Sequence, residues 1–171
     1  IVHLISGPTQ LQTPRGIEIQ KIKSAQQMLQ AVQDQISNCD IFISVAAVAD
    51  YRPINIAENK IKKDSPTLTL DLVRNPDILS EVSQNKNPPF TVGFAAETND
   101  PIANAIKKMS NKNLDLVVVN HINEKNKPFG SDYNHLILIS EDNQVDLGYN
   151  HKEILAMDLI KEISKRYYER N

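Results

Sequence analysis

Asp50, Tyr51 and Arg52 stand directly after the apolar run Ile43-Ser-Val-Ala-Ala-Val-Ala49, and Lys60, Lys62 and Lys63 follow soon after Pro53. A run rich in Val, Ile and Ala that stops at a carboxylate, a phenol, a guanidinium and a proline reads as a strand over 41–49, buried on both faces. The polar cluster then lies at the carboxyl end of that strand, where open α/β sheets bind ligands. The lysines add positive charge, the first of them ten residues beyond Asp50. If that segment is extended, Lys60 and Lys62 point one way and Lys63 the other. An acid at a strand tip and a basic flap able to close over phosphates predict a nucleotide site. A strand-end acid and a solvated charge run are the plainer reading of the same residues.

Three more groups carry usable chemistry. Asn75-Pro76-Asp77 is a helix start, with an N-cap candidate, proline at the first helical position and an acid in the first turn. Helix starts also present N–H groups that hold anions or polar base edges. Gly93-Phe94-Ala95-Ala96-Glu97-Thr98 combines a strand end with small residues that permit close backbone approach to a ligand. Phe94 is either core or a flat surface for a base. Lys108 and Lys112 are four apart on one helix and share a face beside its apolar stripe, whereas Lys107 lies opposite it. Neither Gly-rich phosphate cradle occurs, G-x-G-x-x-G or G-x-x-x-x-G-K-[ST], which argues against a dinucleotide-binding oxidoreductase. His3, His121, His135 and His151 are scattered and read as structural or solvent-facing.

The elements that must position these groups alternate strand with helix. Ile1–Ile5 and residues 17–23 read as short strands. Ser24 opens a helix and forms a capping box with Gln27, and Ala25, Met28, Leu29, Val32 and Ile36 supply its apolar face. Residues 53–66 are an exposed connection. Leu68, Leu70 and Leu72 alternate with polar residues as in a half-buried strand. The helix after Asn75 buries Ile78, Leu79 and Val82. Phe90–Phe94 is a strand, Asp100-Pro101 starts a helix facing Ile102, Ala105, Ile106 and Met109 inward, and Leu114–Val119 is a buried strand. A polar loop over 121–134 leads to a hairpin, 135–139 with 144–147. Residues 151–168 close the chain as an amphipathic helix with Ile154, Leu155, Leu159, Ile163 and Tyr167 inward. This order predicts an α/β, Rossmann-like, mostly parallel sheet flanked by helices, with a late antiparallel hairpin at one edge.

The 171 residues predict a single domain over 1–171 with no internal repeat, large enough to fold without disulfides or structural metal. The net charge of −2 argues against a bulk nucleic-acid or membrane binder but leaves room for a local basic pocket. The single cysteine, Cys39, cannot form an internal disulfide and reads as a small core or strand-edge residue, which fits a reducing cytoplasm. No apolar run is long enough to span a bilayer, and the N-terminal residues lack the pattern of a secretory signal.

The joint order of these pieces resembles the phosphopantothenate–cysteine ligase (phosphopantothenoylcysteine synthetase) family, in particular the synthetase half of the bacterial bifunctional decarboxylase/synthetase. The resemblance rests on Ser6-Gly-Pro8, Ala46-Ala-Val-Ala-Asp-Tyr-Arg52, Lys60-Ile-Lys-Lys63, Asn75-Pro-Asp-Ile78, Gly93-Phe-Ala-Ala-Glu-Thr98, Lys112-Asn-Leu-Asp115 and Phe129-Gly-Ser-Asp132, which occur in family order. It implies CTP-dependent joining of 4′-phosphopantothenate and cysteine through an acyl-cytidylate, with Mg2+ as phosphate partner. Nucleotide contacts would be Ala46, Ala47, Asp50, Lys60, Pro76, Asp77, Ile78, Leu79, Phe94, Lys108 and Lys112. Lys60 would also act in catalysis, neutralising charge as the acyl-cytidylate forms. The residue pattern does not separate CTP from ATP, and the choice of CTP rests on the bacterial likeness. The resemblance further implies a homodimer and a parent protein fused to a flavin-dependent decarboxylase. The family's first strand and Gly-rich loop, with an asparagine used in the second half-reaction, are expected upstream of Ile1. A chain without them reads alternatively as a nucleotide-binding dimeric module without full turnover.

Overall fold

The computed structural model describes residues 1–57, 59–62, 66–97, 100–122 and 130–170. Lys63, Thr98 and Phe129, named above, lie outside the described residues. The chain divides into two compact units, Ile1–Asp34 with Ala46–Ile78, and Gln35–Val45 with Leu79–Asn171.

In the first unit, strands β1 (His3–Ser6) and β2 (Glu18–Lys21) pair in parallel as a separate two-stranded sheet. Helix α1 (Ala25–Ile36) follows, with Ala31 and Val32 buried. Its start is closed reciprocally, as the Ser24–Gln27 spacing predicts. The Gln27 N–H donates to Ser24 Oγ at 3.2 Å, and the Lys23 N–H donates to Gln27 Oε1 at 2.8 Å. Further along lie β4 (Tyr51–Pro53) and β5 (Leu72–Arg74), which pair antiparallel. The half-buried strand predicted around Leu68, Leu70 and Leu72 does not form. Only the short β5 does, and all three leucines are more than half exposed. This ladder pairs two three-residue strands, and Arg52 alone among them is partly buried. Alternation by itself creates no buried face unless something packs on one side.

The second unit is a five-stranded mixed sheet in the order β3-β6-β7-β8-β9. Its strands are β3 (Ile41–Ser44), β6 (Phe90–Glu97), β7 (Leu116–His121), β8 (Tyr133–Ile139) and β9 (Gln144–His151). The pairs β3·β6 and β6·β7 are parallel, while β7·β8 and β8·β9 are antiparallel, so the late hairpin forms one edge as expected. The buried strand predicted over 41–49 is shorter: β3 stops at Ser44, and Val45 is 61% exposed. As an edge strand with one neighbour, β3 is only half-buried, and its register with β6 ends at Ser44 and Gly93.

Two apolar layers sandwich this sheet. Helix α3 (Pro101–Lys112) places Ala105 and Met109 against Val117, Val119, Ile137 and Ile139. Helix α4 (Lys152–Arg170) places Leu155, Leu159 and Ile163 against Phe90, Val92, Leu116, Val118, Leu136 and Leu138 on the other face. Ile106 and Ile154, expected to face inward, lie at the margins of their stripes and are 46% and 41% exposed. Pro101 opens α3 as predicted, but Asp100 sits at φ 44° and makes no side-chain cap. The helix closes at Asn113 in the left-handed region, a conformation that asparagine tolerates. Cys39 is half-buried and donates from Sγ to the Ile41 carbonyl at 3.1 Å. Burial pushes its thiol pKa above the ordinary value. Among the described residues, no helix is long and apolar enough to cross a membrane.

The amino ends of the central strands are tied by one carboxylate. Asp115 Oδ2 accepts from Thr91 N at 2.7 Å and Thr91 Oγ1 at 3.0 Å, while Oδ1 accepts from the Arg170 guanidinium at 2.8 Å. Gly93 serves packing: a Cβ there would lie 2.7 Å from Leu79 Cδ2 and 3.0 Å from Leu114 Cδ1. The small residue expected to admit a ligand instead admits these two core leucines. Gly93→Val should therefore destabilise the protein by about 1–3 kcal/mol through overpacking, measured as a lower urea midpoint. Adding Leu79→Ala should recover part of that loss, and strictly additive destabilisation would remove the steric explanation.

Candidate functional site

The predicted nucleotide residues fall on both units, and each set has its own geometry. In the first unit, Ala46, Ala47 and Asp50 occupy an exposed irregular segment between β3 and β4. The Val48 N–H donates to the Ala46 carbonyl at 3.1 Å, which tightens the segment just after its start. Its far end is held by Asn75. The Asn75 backbone N–H donates to the Asp50 carbonyl at 2.8 Å, and Asn75 Nδ2 donates to the Ala49 carbonyl at 2.8 Å. Arg52 Nη1 donates to Asn75 Oδ1 at 3.2 Å and to the Arg74 carbonyl at 2.7 Å. Asp50 is thereby brought next to the segment that leads to Pro76 and Asp77. Tyr51 lies opposite Arg74 in the ladder, and its hydrogen bond raises the Arg74 guanidinium pKa.

Helix α2 (Ile78–Ser83) begins later than the Asn75-Pro76-Asp77 signal predicts. Asn75 is therefore not the N-cap, because its side chain is engaged by Ala49 and Arg52. Pro76 is half-buried and Asp77 is exposed. Ile78 and Leu79 are buried, at 6% and 7% exposure, so any ligand contact from them runs through main-chain groups. Lys60 and Lys62 are exposed on the connection after β4.

In the second unit, Phe94 and Lys108 are brought together. Lys108 Nζ donates to the Phe94 carbonyl at 2.7 Å, which fixes a cation at the carboxyl end of β6. The Phe94 ring is half-buried and packs against the α4-side core. Lys112 is half-buried one turn along α3, and its carbonyl accepts from Ser83 Oγ. Among the described residues, no group of three His, Cys, Asp or Glu side chains is arranged to hold a metal ion.

A cleft of about 480 Å³ also lies in this unit, lined by Phe90, Asp115, Asp142, Arg166 and Arg170 among others. It sits where β6 and β7 begin, away from the β6 carboxyl end, and contains none of the predicted residues. Charged groups of this cleft are engaged: Arg170 pairs with Asp115 and lies over the Phe90 ring.

Sequence reasoning missed the joint role of Asn75 and Arg52. Both residues were visible, but local spacing offered a helix cap for Asn75 and no partner for Arg52. Their pairing spans 23 residues.

Comparison with known proteins adds an independent line. The model of the DNA/pantothenate metabolism flavoprotein C-terminal domain matches residues 1–167. The coenzyme A biosynthesis bifunctional protein CoaBC of Vibrio vulnificus (strain CMCP6) is 46% identical over 165 residues, covering 95% of this chain and 41% of that protein. The chain thus spans about two fifths of the length of this curated relative. The crystal structure of the C-terminal domain of a coenzyme A biosynthesis bifunctional protein CoaBC superposes with TM-score 0.80 at 30% identity, covering 98% of this chain and 74% of that one. A Cab2 mutant in complex with phosphopantothenate-cysteine shares the fold, with TM-score 0.64 at 19% identity, over 90% of this chain and 55% of that one.

Proposed function

The chain belongs to the DNA/pantothenate metabolism flavoprotein C-terminal domain family, and we propose that it catalyses CTP-dependent ligation of 4′-phosphopantothenate with cysteine. The observation that carries this reading is the 46% identity, over 95% of the chain, to a protein named for coenzyme A biosynthesis. A neighbour in fold that holds phosphopantothenate-cysteine is consistent with it.

On this reading the phosphopantothenate carboxylate attacks the α-phosphorus of CTP. An acyl-cytidylate forms and pyrophosphate leaves. The cysteine amine then attacks the acyl carbon, forming the amide and releasing CMP and a proton. The first step brings two anions together, so fixed or recruited cations lower its barrier. Lys60 would supply charge where the acyl-cytidylate forms, and Lys108 and Lys112 would bind phosphate oxygens. The Asp50 carboxylate repels phosphate, so its partner would be a donor on the nucleoside, a base amino group or a ribose hydroxyl. Ala46 and Ala47 leave room beside it, and Pro76, Asp77, Ile78, Leu79 and Phe94 complete the nucleotide contacts. Magnesium would enter with the triphosphate as substrate, in keeping with the absence of a three-ligand cluster among the described residues.

The proposal extends to partners. Ile54, Ile56, Ile61, Leu68, Leu70 and Leu72 are apolar residues of the first unit that are all more than half exposed. Exposed apolar surface on this scale favours a protein interface, and we assign it to a second copy of the chain. In the parent protein, a flavin-dependent decarboxylase would be the fused neighbour.

The deciding assay mixes the protein with Mg–CTP, phosphopantothenate and cysteine, and measures pyrophosphate, CMP and amide product. All three should accumulate in equal amounts. CTP binding without CMP release would remove the ligase reading and leave a nucleotide-binding module, and tight NADH binding would favour an oxidoreductase. Lys60→Gln should slow pyrophosphate release by about 100-fold with an unchanged melting temperature. Asp50→Ala should raise the CTP Kd roughly tenfold. For the assembly, Leu70→Glu with Leu72→Glu should convert a dimer to a monomer in sedimentation velocity, and a parent protein that sediments as a monomer at all concentrations would refute the dimer.

A further inference from the structure

We propose that Asn75 and Arg52 form a positioning pair that sets the Asp50 carboxylate for the nucleotide, an inference that rests on the nucleotide reading above. Asn75 holds two consecutive carbonyls of the exposed segment. Its side-chain amide binds Ala49 O and its backbone N–H binds Asp50 O, each at 2.8 Å. The two carbonyls belong to the peptides on either side of the Asp50 Cα, so two bonds from one residue restrain both planes, and with them the direction in which the Asp50 side chain leaves the backbone.

The chemistry of these contacts calls for asparagine. A carbonyl only accepts and a guanidinium only donates. The side chain between Ala49 O and Arg52 Nη1 must therefore donate at one end and accept at the other. Aspartate has the shape but lacks the donor, and alanine has neither group. The same constraint fixes which way the amide points, since a flipped amide would set oxygen against oxygen and nitrogen against nitrogen. Arg52 in turn acts through Asn75. One nitrogen, Nη1, binds both Asn75 Oδ1 and the Arg74 carbonyl, so the acceptor end of the amide is tied to the end of β5. Beside the β4–β5 backbone ladder, side-chain burial adds little among the described residues, because the ladder residues other than Arg52 are exposed.

The test measures Mg–CTP affinity by calorimetry and the urea midpoint on the full chain for four proteins besides the parent. Asn75→Ala should weaken CTP roughly tenfold, the scale of losing one hydrogen bond and the geometry it sets. Asn75→Asp should weaken it as much, although it keeps an acceptor for Arg52, because the donor to Ala49 is gone. Arg52→Ala should give a smaller loss, about threefold. The double variant Arg52→Ala with Asn75→Ala should bind no worse than Asn75→Ala alone. All four should lower the urea midpoint by no more than the loss of one to three exposed hydrogen bonds, and the CTP losses should not rank with those shifts, as they would for a general folding role. Unchanged CTP affinity in Asn75→Ala, full rescue by Asn75→Asp, additive losses in the double variant, or losses that track a falling urea midpoint would each overturn the pair's role. A parent that binds no CTP would overturn the nucleotide reading itself and this inference with it.

Discussion

Strand β6 has buried residues on both of its faces, and this constraint organises the larger unit. Phe90 and Val92 face the α4 layer, while Ala95 faces the α3 layer. A strand covered on both faces must have its backbone polar groups paired within the protein, here mainly by β3 and β7 in parallel register. Gly93 follows from the same constraint, since the core leucines above the strand leave no room for a side chain. Polar chemistry is then restricted to the ends of the strand. The amino end is closed by Asp115, which spends its carboxylate on Thr91 and Arg170. The carboxyl end keeps a cation, Lys108, fixed on the Phe94 carbonyl.

The β4–β5 region is held by a different force. Its apolar residues are exposed, so hydrophobic burial contributes little there, and hydrogen bonds decide its shape. Each such bond stabilises by about 0.5–1.5 kcal/mol net. The four bonds of Asn75 and Arg52 therefore bias one conformation without giving the rigidity of a packed core. Segments of this kind open at low free-energy cost, which would suit a region that, on the proposed reading, admits and releases the nucleotide.

Much of the larger unit was legible in the sequence because burial there is strongly periodic. The apolar run Leu116-Val-Val-Val119 and the spacing of Leu155, Leu159 and Ile163 mark β7 and α4, and both are buried as the patterns imply. The pattern misled where it lacked a packing partner. Ile41–Ala49 is apolar enough for a central strand but begins in an edge strand that ends at Ser44. Leu68, Leu70 and Leu72 alternate correctly yet cover nothing. At the candidate site the residue types were readable and their means of contact were not. Ile78 and Leu79 belong to a motif, but their side chains are core, so only their main chain is available to a ligand. Asn75 had a strong local explanation as a cap, and the structure uses it over long range. Sequence spacing cannot report a hydrogen bond between residues 23 apart.

Two of the three lysines given roles in the ligase reading, Lys108 and Lys60, differ in how they are held, and the difference bears on what each could contribute. Lys108 already has a fixed partner, the Phe94 carbonyl, so its charge is placed before any substrate arrives. Such a cation attracts the triphosphate from the start and, being preorganised, can also steady the charge that builds in the transition state. Lys60 is exposed on a connection outside any helix or strand. Ordering its side chain costs up to about 2 kcal/mol of rotamer entropy. That cost is best offset where the attraction is greatest, as charge builds around the phosphorus under attack. An interaction formed mainly at that stage speeds the chemical step rather than tightening ground-state binding. On the proposed ligase reading, the pre-set lysine would serve both affinity and turnover, and Lys60 would serve turnover above all.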